Sequence, residues 1–77
     1  MKALSDLLVG QRGIIASVEG EPGLVQRFLE LGLMEGAEVE VLALAPLGDP
    51  IEVRTGNSRL SMRRREAAGI HLQPASP

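Results

Sequence analysis

Three glutamates have the spacing that comes nearest to a metal site. Glu38 and Glu40 alternate along one predicted strand and therefore share a face, with Glu35 just ahead of them. Carboxylate oxygens bind divalent metal ions, but selective transition-metal sites usually add imidazole nitrogen. His71 is the only histidine, and the chain has no cysteine. We expect no specific metal site; the three glutamates are the only candidate ligands, and their alternative role is a solvated strand edge.

The residue sets of the common catalytic mechanisms are missing. With His71 alone and no cysteine, neither a Ser/His/Asp nor a Cys/His arrangement has a strong candidate. No Gly-x-x-x-x-Gly-Lys-Ser/Thr sequence is present, so the chain has no phosphate-binding loop of that type. His71 lies between Ile70 and Leu72 in a short strand pattern, which predicts an outward-facing ring. We expect a non-enzymatic protein that carries no cofactor.

Charge is unevenly spread along a chain whose net charge is −2. Eight acids and one base lie between Glu19 and Glu52, whereas five arginines and one acid follow from Val53 onward. The arginine-rich part could contact nucleic-acid phosphates, anionic lipid or an acidic protein surface, or could simply be solvated. Three features argue against nucleic-acid binding: the pI is acidic, at about 5.3, Phe28 is the single aromatic residue, and the pattern predicts no recognition helix. The arginines considered for such a contact are Arg59, Arg63, Arg64 and Arg65.

Length and composition predict one small domain held together by aliphatic packing. Seventy-seven residues are near the lower limit for a single hydrophobic core. The absence of cysteine excludes disulfides and fits a reducing compartment. There is no apolar run long enough to span a membrane, and residues 7–9 are too short for a signal-peptide core. We expect a cytoplasmic domain over residues 1–77, with a core from about 4 to 72 and a flexible tail at 73–77.

Hydrophobic periodicity predicts five short strands and one main helix. In the clearest strand Val39, Val41 and Ala43 alternate with Glu38 and Glu40, so the valines and the alanine should face inward. Gly32 is placed to end the helix in the left-handed conformation, and Gly56-Asn57 fits a two-residue hairpin. A small, partly open SH3-like β-barrel is the leading architecture, and an OB-type barrel is the second. The predicted segments are a helical turn at 4–8, strands at 11–19, 37–45, 51–55, 59–63 and 70–72, the helix at 24–31 and a helical turn at 65–68.

One apolar set exceeds what so small a core can bury. It comes from the helix, the connector after it and the loop at 45–51, and it comprises Phe28, Leu31, Leu33, Met34 and Leu47. Pro46, Gly48 and Pro50 restrict the loop, so Leu47 would be presented to a partner with little loss of entropy. The alternative is that the loop only closes the barrel. If the loop and the helix end form one groove, an apolar partner segment could enter it.

Three stretches, in order, resemble the FeoA family. Residues 27–36 (RFLELGLMEG) are similar to the family's helix end and turn, and residues 45–51 (APLGDPI) to its most distinctive loop. Residues 60–67 (LSMRRREA) are similar to its final strand and the turn that ends in Glu-Ala. Order and spacing match from Leu7 to Leu72. The departure at Met62, where the family often has leucine, conserves volume.

The resemblance implies an SH3-like barrel and a regulatory or accessory role beside FeoB, the membrane ferrous-iron transporter with a cytosolic GTP-hydrolysing domain. The membrane would be reached only through this transporter, nucleic acid would not be bound, and a homo-oligomer is a further option. A similar domain ends certain metal-dependent repressors; the position of Met1 just ahead of the first strand favours a stand-alone domain. The alternatives are a free-standing peptide-binding or oligomerising module and a nucleic-acid-binding regulator. The expected partner-binding residues are Phe28, Leu31, Leu33, Met34, Leu47, Asp49, Arg63 and Arg64.

Overall fold

The chain folds as a sheet of five antiparallel strands with one main helix inserted after the first strand. The computed structural model describes residues 2–74. The helix begins two residues earlier than the sequence predicts, because Pro22 occupies its first turn, where the missing N–H costs nothing. The elements are a 3-10 turn (Leu4–Asp6), β1 (Arg12–Val18), α1 (Pro22–Glu30), β2 (Glu38–Leu44), β3 (Ile51–Thr55), β4 (Ser58–Met62), α2 (Arg64–Ala67) and β5 (Ile70–Leu72).

The strand order is β4-β3-β2-β1-β5, and the sheet does not close. The two edge strands, β4 and β5, form no ladder with each other among residues 2–74, as expected for a partly open barrel. The free side of β5 is covered instead by the N-terminal segment. Ala3 forms a bridge with His71, and the Leu72 N–H donates to the Lys2 carbonyl oxygen at 2.7 Å. Covering an edge in this way removes a site for unwanted strand pairing.

The Gly56-Asn57 turn between β3 and β4 is confirmed. Thr55 and Ser58 face each other at the end of the hairpin, which leaves a two-residue loop between them. Gly56 has a φ of 57°, whereas Asn57, like every other non-glycine residue between 2 and 74, has a negative φ. A positive φ at the first turn position alone is the pattern of a type II′ turn, whose twist matches that of the strands.

The end of α1 confirms the role predicted for Gly32. Its φ is 94°, and its N–H donates to the Leu29 carbonyl oxygen at 3.0 Å. The next N–H, that of Leu33, donates to the Phe28 carbonyl oxygen at 2.9 Å. This pair of bonds is a Schellman motif, which satisfies the last carbonyls of the helix. The motif also turns the chain so that Leu33 enters the core.

The core takes one side chain or more from every element, and Phe28 is the fully buried residue that α1 contributes. Val39 and Val41 are completely buried, as predicted, but Ala43 is only half-buried because β2 has a bulge between Val41 and Ala43. A bulge also interrupts β1, where Ile15 is the fully buried residue. The buried apolar residues are Leu4, Leu7, Ile15, Phe28, Leu33, Val39, Val41, Ile51, Val53, Met62, Ala67, Ile70 and Leu72.

The last strand is followed by a residue that is still tied to the sheet. The Gln73 N–H donates to the Ile14 carbonyl oxygen at 2.8 Å. The tail that the sequence predicts at 73–77 therefore does not begin at Gln73. Residues 75–77 of that prediction lie outside the described residues.

Candidate partner-binding surface

The loop that joins β2 to β3 holds its shape through its own backbone. The Gly48 N–H donates to the Ala45 carbonyl oxygen at 2.7 Å and closes a turn, with Gly48 at a φ of 83°. The Ala45 N–H donates to the Pro50 carbonyl oxygen at 3.1 Å, and the Asp49-Pro50 peptide bond is cis. Leu47 lies at the tip of this turn and is 96% exposed. The loop thus presents one large apolar side chain to solvent.

Arg64, the first residue of α2, connects this loop to the 3-10 turn near the N-terminus. Its Nη1 donates to the Ser5 carbonyl oxygen at 2.6 Å and its Nε to the Gly48 carbonyl oxygen at 3.1 Å. Its backbone N–H donates to Asp49 Oδ1 at 2.9 Å. The sequence assigns Asp49 and Arg64 to partner contact, but the structure shows that both make hydrogen bonds within the chain. They position the loop on which Leu47 lies.

The apolar candidates separate into core and surface. Phe28 and Leu33 are completely buried, so their side chains are core and are not available to a partner. Leu31 is half-buried at the end of α1, and Met34 is 43% exposed. This division follows from the Schellman turn, which directs Leu33 inward and leaves its neighbour Met34 outside.

Met34 and Leu47 do not form one groove. Met34 precedes β2 and Leu47 follows it, and a strand of seven residues spans about 20 Å. The sequence suggests a single groove only if the helix end and the loop meet. They lie instead at opposite ends of β2.

Two exposed apolar residues near the N-terminus were not among the candidates that the sequence predicts. Leu8 is 65% exposed and Val9 is 55% exposed. The predicted helical turn at 4–8 would place Leu8 on the same face as Leu4, but the 3-10 turn ends at Asp6. The Gly10 N–H donates to the Val41 carbonyl oxygen at 2.8 Å, and the Gln11 N–H donates to the Leu8 carbonyl oxygen at 3.0 Å, so Leu8 and Val9 lie in a turn just before β1. In the sequence, the run of three apolar residues at 7–9 was the feature that could have indicated an exposed apolar site.

Two of the three acidic candidates, Glu38 and Glu40, form ion pairs, and Glu35 forms none among residues 2–74. Glu40 pairs with Arg54 at 2.7 Å, and Glu38 lies 4.0 Å from Arg12. All four residues line a shallow groove of about 680 Å³ at the end of the sheet opposite the loop. Within residues 2–74, no three histidine, aspartate or glutamate side chains come together as metal ligands. The charges of this groove are balanced by one another.

The C-terminal arginines do not act as one patch. Arg59 pairs with Glu52 at 3.1 Å, and Arg64 bonds to backbone carbonyls. Arg63 and Arg65 remain exposed. His71 Nε2 lies 3.1 Å from Glu19 Oε1, which places the ring at the surface beside a carboxylate. No helix in the described part of the chain has both the length and the apolar character needed to cross a bilayer.

An open five-stranded antiparallel sheet with a single main helix after its first strand defines a small SH3-like β domain. A family model described as the FeoA domain matches residues 2–74, and the chain belongs to the FeoA family. The resemblance found in the three sequence stretches is thereby confirmed.

Solved FeoA structures share the fold over nearly the whole chain. The solution structure of FeoA from Chlorobium tepidum is 45% identical, with a TM-score of 0.88 over 99% of this chain and 74% of that one. The crystal structure of Stenotrophomonas maltophilia FeoA in complex with zinc is 28% identical, with a TM-score of 0.82 over 95% of this chain and 91% of that one. That protein is described as a prokaryotic SH3 domain protein.

A curated relative joins this domain to a transporter. The Fe(2+) transport protein A/Fe(2+) transporter FeoB fusion protein of Porphyromonas gingivalis is 37% identical over 70 residues. The match covers 91% of this chain but only 8% of the fusion protein. The remainder of that polypeptide has no counterpart in the chain described here.

Proposed function

We propose that this chain is a non-enzymatic accessory protein of ferrous iron uptake that acts by direct contact with a FeoB-type membrane transporter. One observation carries the proposal: in the Porphyromonas gingivalis protein, a related domain and FeoB belong to one polypeptide. Covalent linkage keeps two modules at high effective concentration, which favours even a weak contact between them. Two separate chains that work together must form the same contact without the linkage.

The loop that carries Leu47 supports a contact of this kind. Its tip is apolar and 96% exposed, and the loop is held by Arg64 and by its own turn. A loop that is already ordered loses little conformational entropy when it binds. We assign the docking surface to this end of the molecule, which would meet the transporter on its cytosolic side.

The functional class is tested by ferrous iron uptake in a bacterium whose own copy of this gene has been deleted. We expect the deletion to change uptake of radiolabelled ferrous iron, and we expect the wild-type gene to restore it. Leu47→Ala should restore uptake only partly at the same protein level, because it removes the exposed apolar contact. Uptake that is the same with and without the gene would contradict the proposal. It would favour the alternative of an SH3-like peptide-binding or oligomerising module unrelated to iron.

A further inference from the structure

A second surface feature lies beside the same loop. A pocket of about 360 Å³ brings together side chains from the loop, α1, β4 and the start of α2. Pro50 comes from the loop that carries Leu47, and Met62, which is 2% exposed, is the buried apolar side chain among the lining residues. Ser61 adds a hydroxyl group. The lining residues are Arg27, Pro50, Ser61, Met62, Arg63 and Glu66.

Arg27 and Arg63 lack acidic partners within the described chain. Both are exposed, and neither guanidinium group has a carboxylate oxygen within 4.0 Å among residues 2–74. The arginines that do form ion pairs lie elsewhere, at positions 12, 54 and 59. The pocket therefore has guanidinium groups whose hydrogen-bonding capacity is not used by side chains of the molecule itself.

The one carboxylate in the pocket makes a local contact. Glu66 Oε1 accepts the backbone N–H of Arg63 at 2.9 Å, as in a capping box. Two arginines and one glutamate leave the pocket with a charge of +1 in a chain whose net charge is −2. The Arg27 guanidinium carbon also lies 5.9 Å from the centre of the Phe28 ring, a distance at which the ring attracts the cation and helps to position it.

We propose that this pocket receives an acidic side chain from a partner protein, and that an apolar residue of the same partner segment packs on Pro50 and Leu47. Arginine binds carboxylates with paired, charge-assisted hydrogen bonds, so two free guanidinium groups around one pocket fit an aspartate or a glutamate. The proposal rests on the proposed function, since the segment belongs to the transporter.

A protein segment fits these features better than an anionic membrane surface. The pocket is a small, open depression of about 360 Å³ lined by residues of four segments, whereas a bilayer presents a broad charged plane. A chain with a net charge of −2 gains little from the negative potential of a membrane, where binding needs a basic cluster. One exposed leucine at the loop tip adds too little apolar burial to anchor the domain on lipid.

The test is binding of this chain to full-length FeoB from the same bacterium, purified in detergent, at low and moderate salt. Arg27→Gln/Arg63→Gln should weaken binding about tenfold and reduce its salt dependence. The matched control is Arg59→Gln/Arg65→Gln, which removes the same charge from positions outside the pocket and should change the affinity by less than about threefold. Thermal unfolding of the test variant should match the wild type, because both of its arginines are exposed.

The outcomes separate the proposal from the function on which it rests. If both double variants bind as tightly as the wild type, or are weakened equally, the pocket does not receive an acidic side chain. The contact between the wild-type chain and FeoB would still stand. Absence of binding by the wild-type chain would contradict the proposed function and the pocket together. Binding of the wild type to vesicles of phosphatidylglycerol and phosphatidylcholine, lost in Arg27→Gln/Arg63→Gln, would assign the pocket to lipid and overturn its assignment to a protein segment.

Discussion

At the scale of single residues, Arg64 has the largest set of contacts that the sequence did not indicate. Its guanidinium group reaches the carbonyl oxygens of Ser5 and Gly48, and its backbone N–H reaches Asp49. A half-buried guanidinium group that bonds to backbone carbonyls stabilises the segments that it joins. In a domain with so small a core, one such residue contributes a large part of the net stability.

We expect Arg64→Ala to lower the free energy of unfolding by about 1.5–3 kcal/mol, because two charge-assisted hydrogen bonds are lost. Arg65→Ala is the matched control, since it makes the same change at the next position of α2, where the side chain is exposed. The control should stay within about 0.5 kcal/mol of the wild type. Urea unfolding gives both values. Equal effects of the two substitutions would show that the bonds of Arg64 contribute nothing measurable.

At the scale of the elements, the end of α1 decides which residues reach the core. Gly32 adopts a conformation that costs a residue with a side chain about 1–2 kcal/mol. Gly32→Ala should therefore lower the free energy of unfolding by about that amount. Its control is Gly23→Ala, within α1, where an added methyl group meets nothing within 4 Å and should be neutral or stabilising by up to about 1 kcal/mol. Similar destabilisation by Gly32→Ala and Gly23→Ala would argue that the positive φ of Gly32 contributes nothing specific to the end of α1.

Local signals in the sequence predict most of these elements. The stop at Gly32 and the Gly56-Asn57 hairpin are readable because glycine supplies backbone conformations that other residues avoid. The bulges in β1 and β2 are not readable, since they depend on pairing between distant segments. The same holds for Arg64, whose contact with Ser5 spans 59 positions of the chain.

The candidate surface could be predicted only in part. Leu33 and Met34 are adjacent and similar in hydrophobicity, yet one is completely buried and the other is 43% exposed. Composition cannot separate them, because the outcome depends on the direction in which the chain leaves α1. Leu47 was identifiable, since the prolines and glycine around it indicate a restricted surface loop.

At the scale of the whole molecule, the two ends of the sheet differ in character. One end carries the groove with the balanced ion pairs of Glu38 and Glu40. The other carries the apolar tip of Leu47 and the pocket with two free arginines. In the contact that we propose with the transporter, a polar, internally neutral end and an apolar, basic end would favour one orientation of the domain.

The affinity of this chain for purified full-length FeoB in nanodiscs tests directly whether the domain acts by contact with the transporter. We expect saturable binding that Leu47→Ala weakens by about 1–2 kcal/mol, with the free energy of unfolding changed by less than about 0.5 kcal/mol. Met34→Ala, at the other end of β2, should weaken binding less. As a stability control, Val41→Ala in the core should lower the free energy of unfolding by about 2–3 kcal/mol. Absence of saturable binding would contradict the proposed contact with FeoB, and a Leu47→Ala variant that binds as tightly as the wild type would contradict docking through the loop.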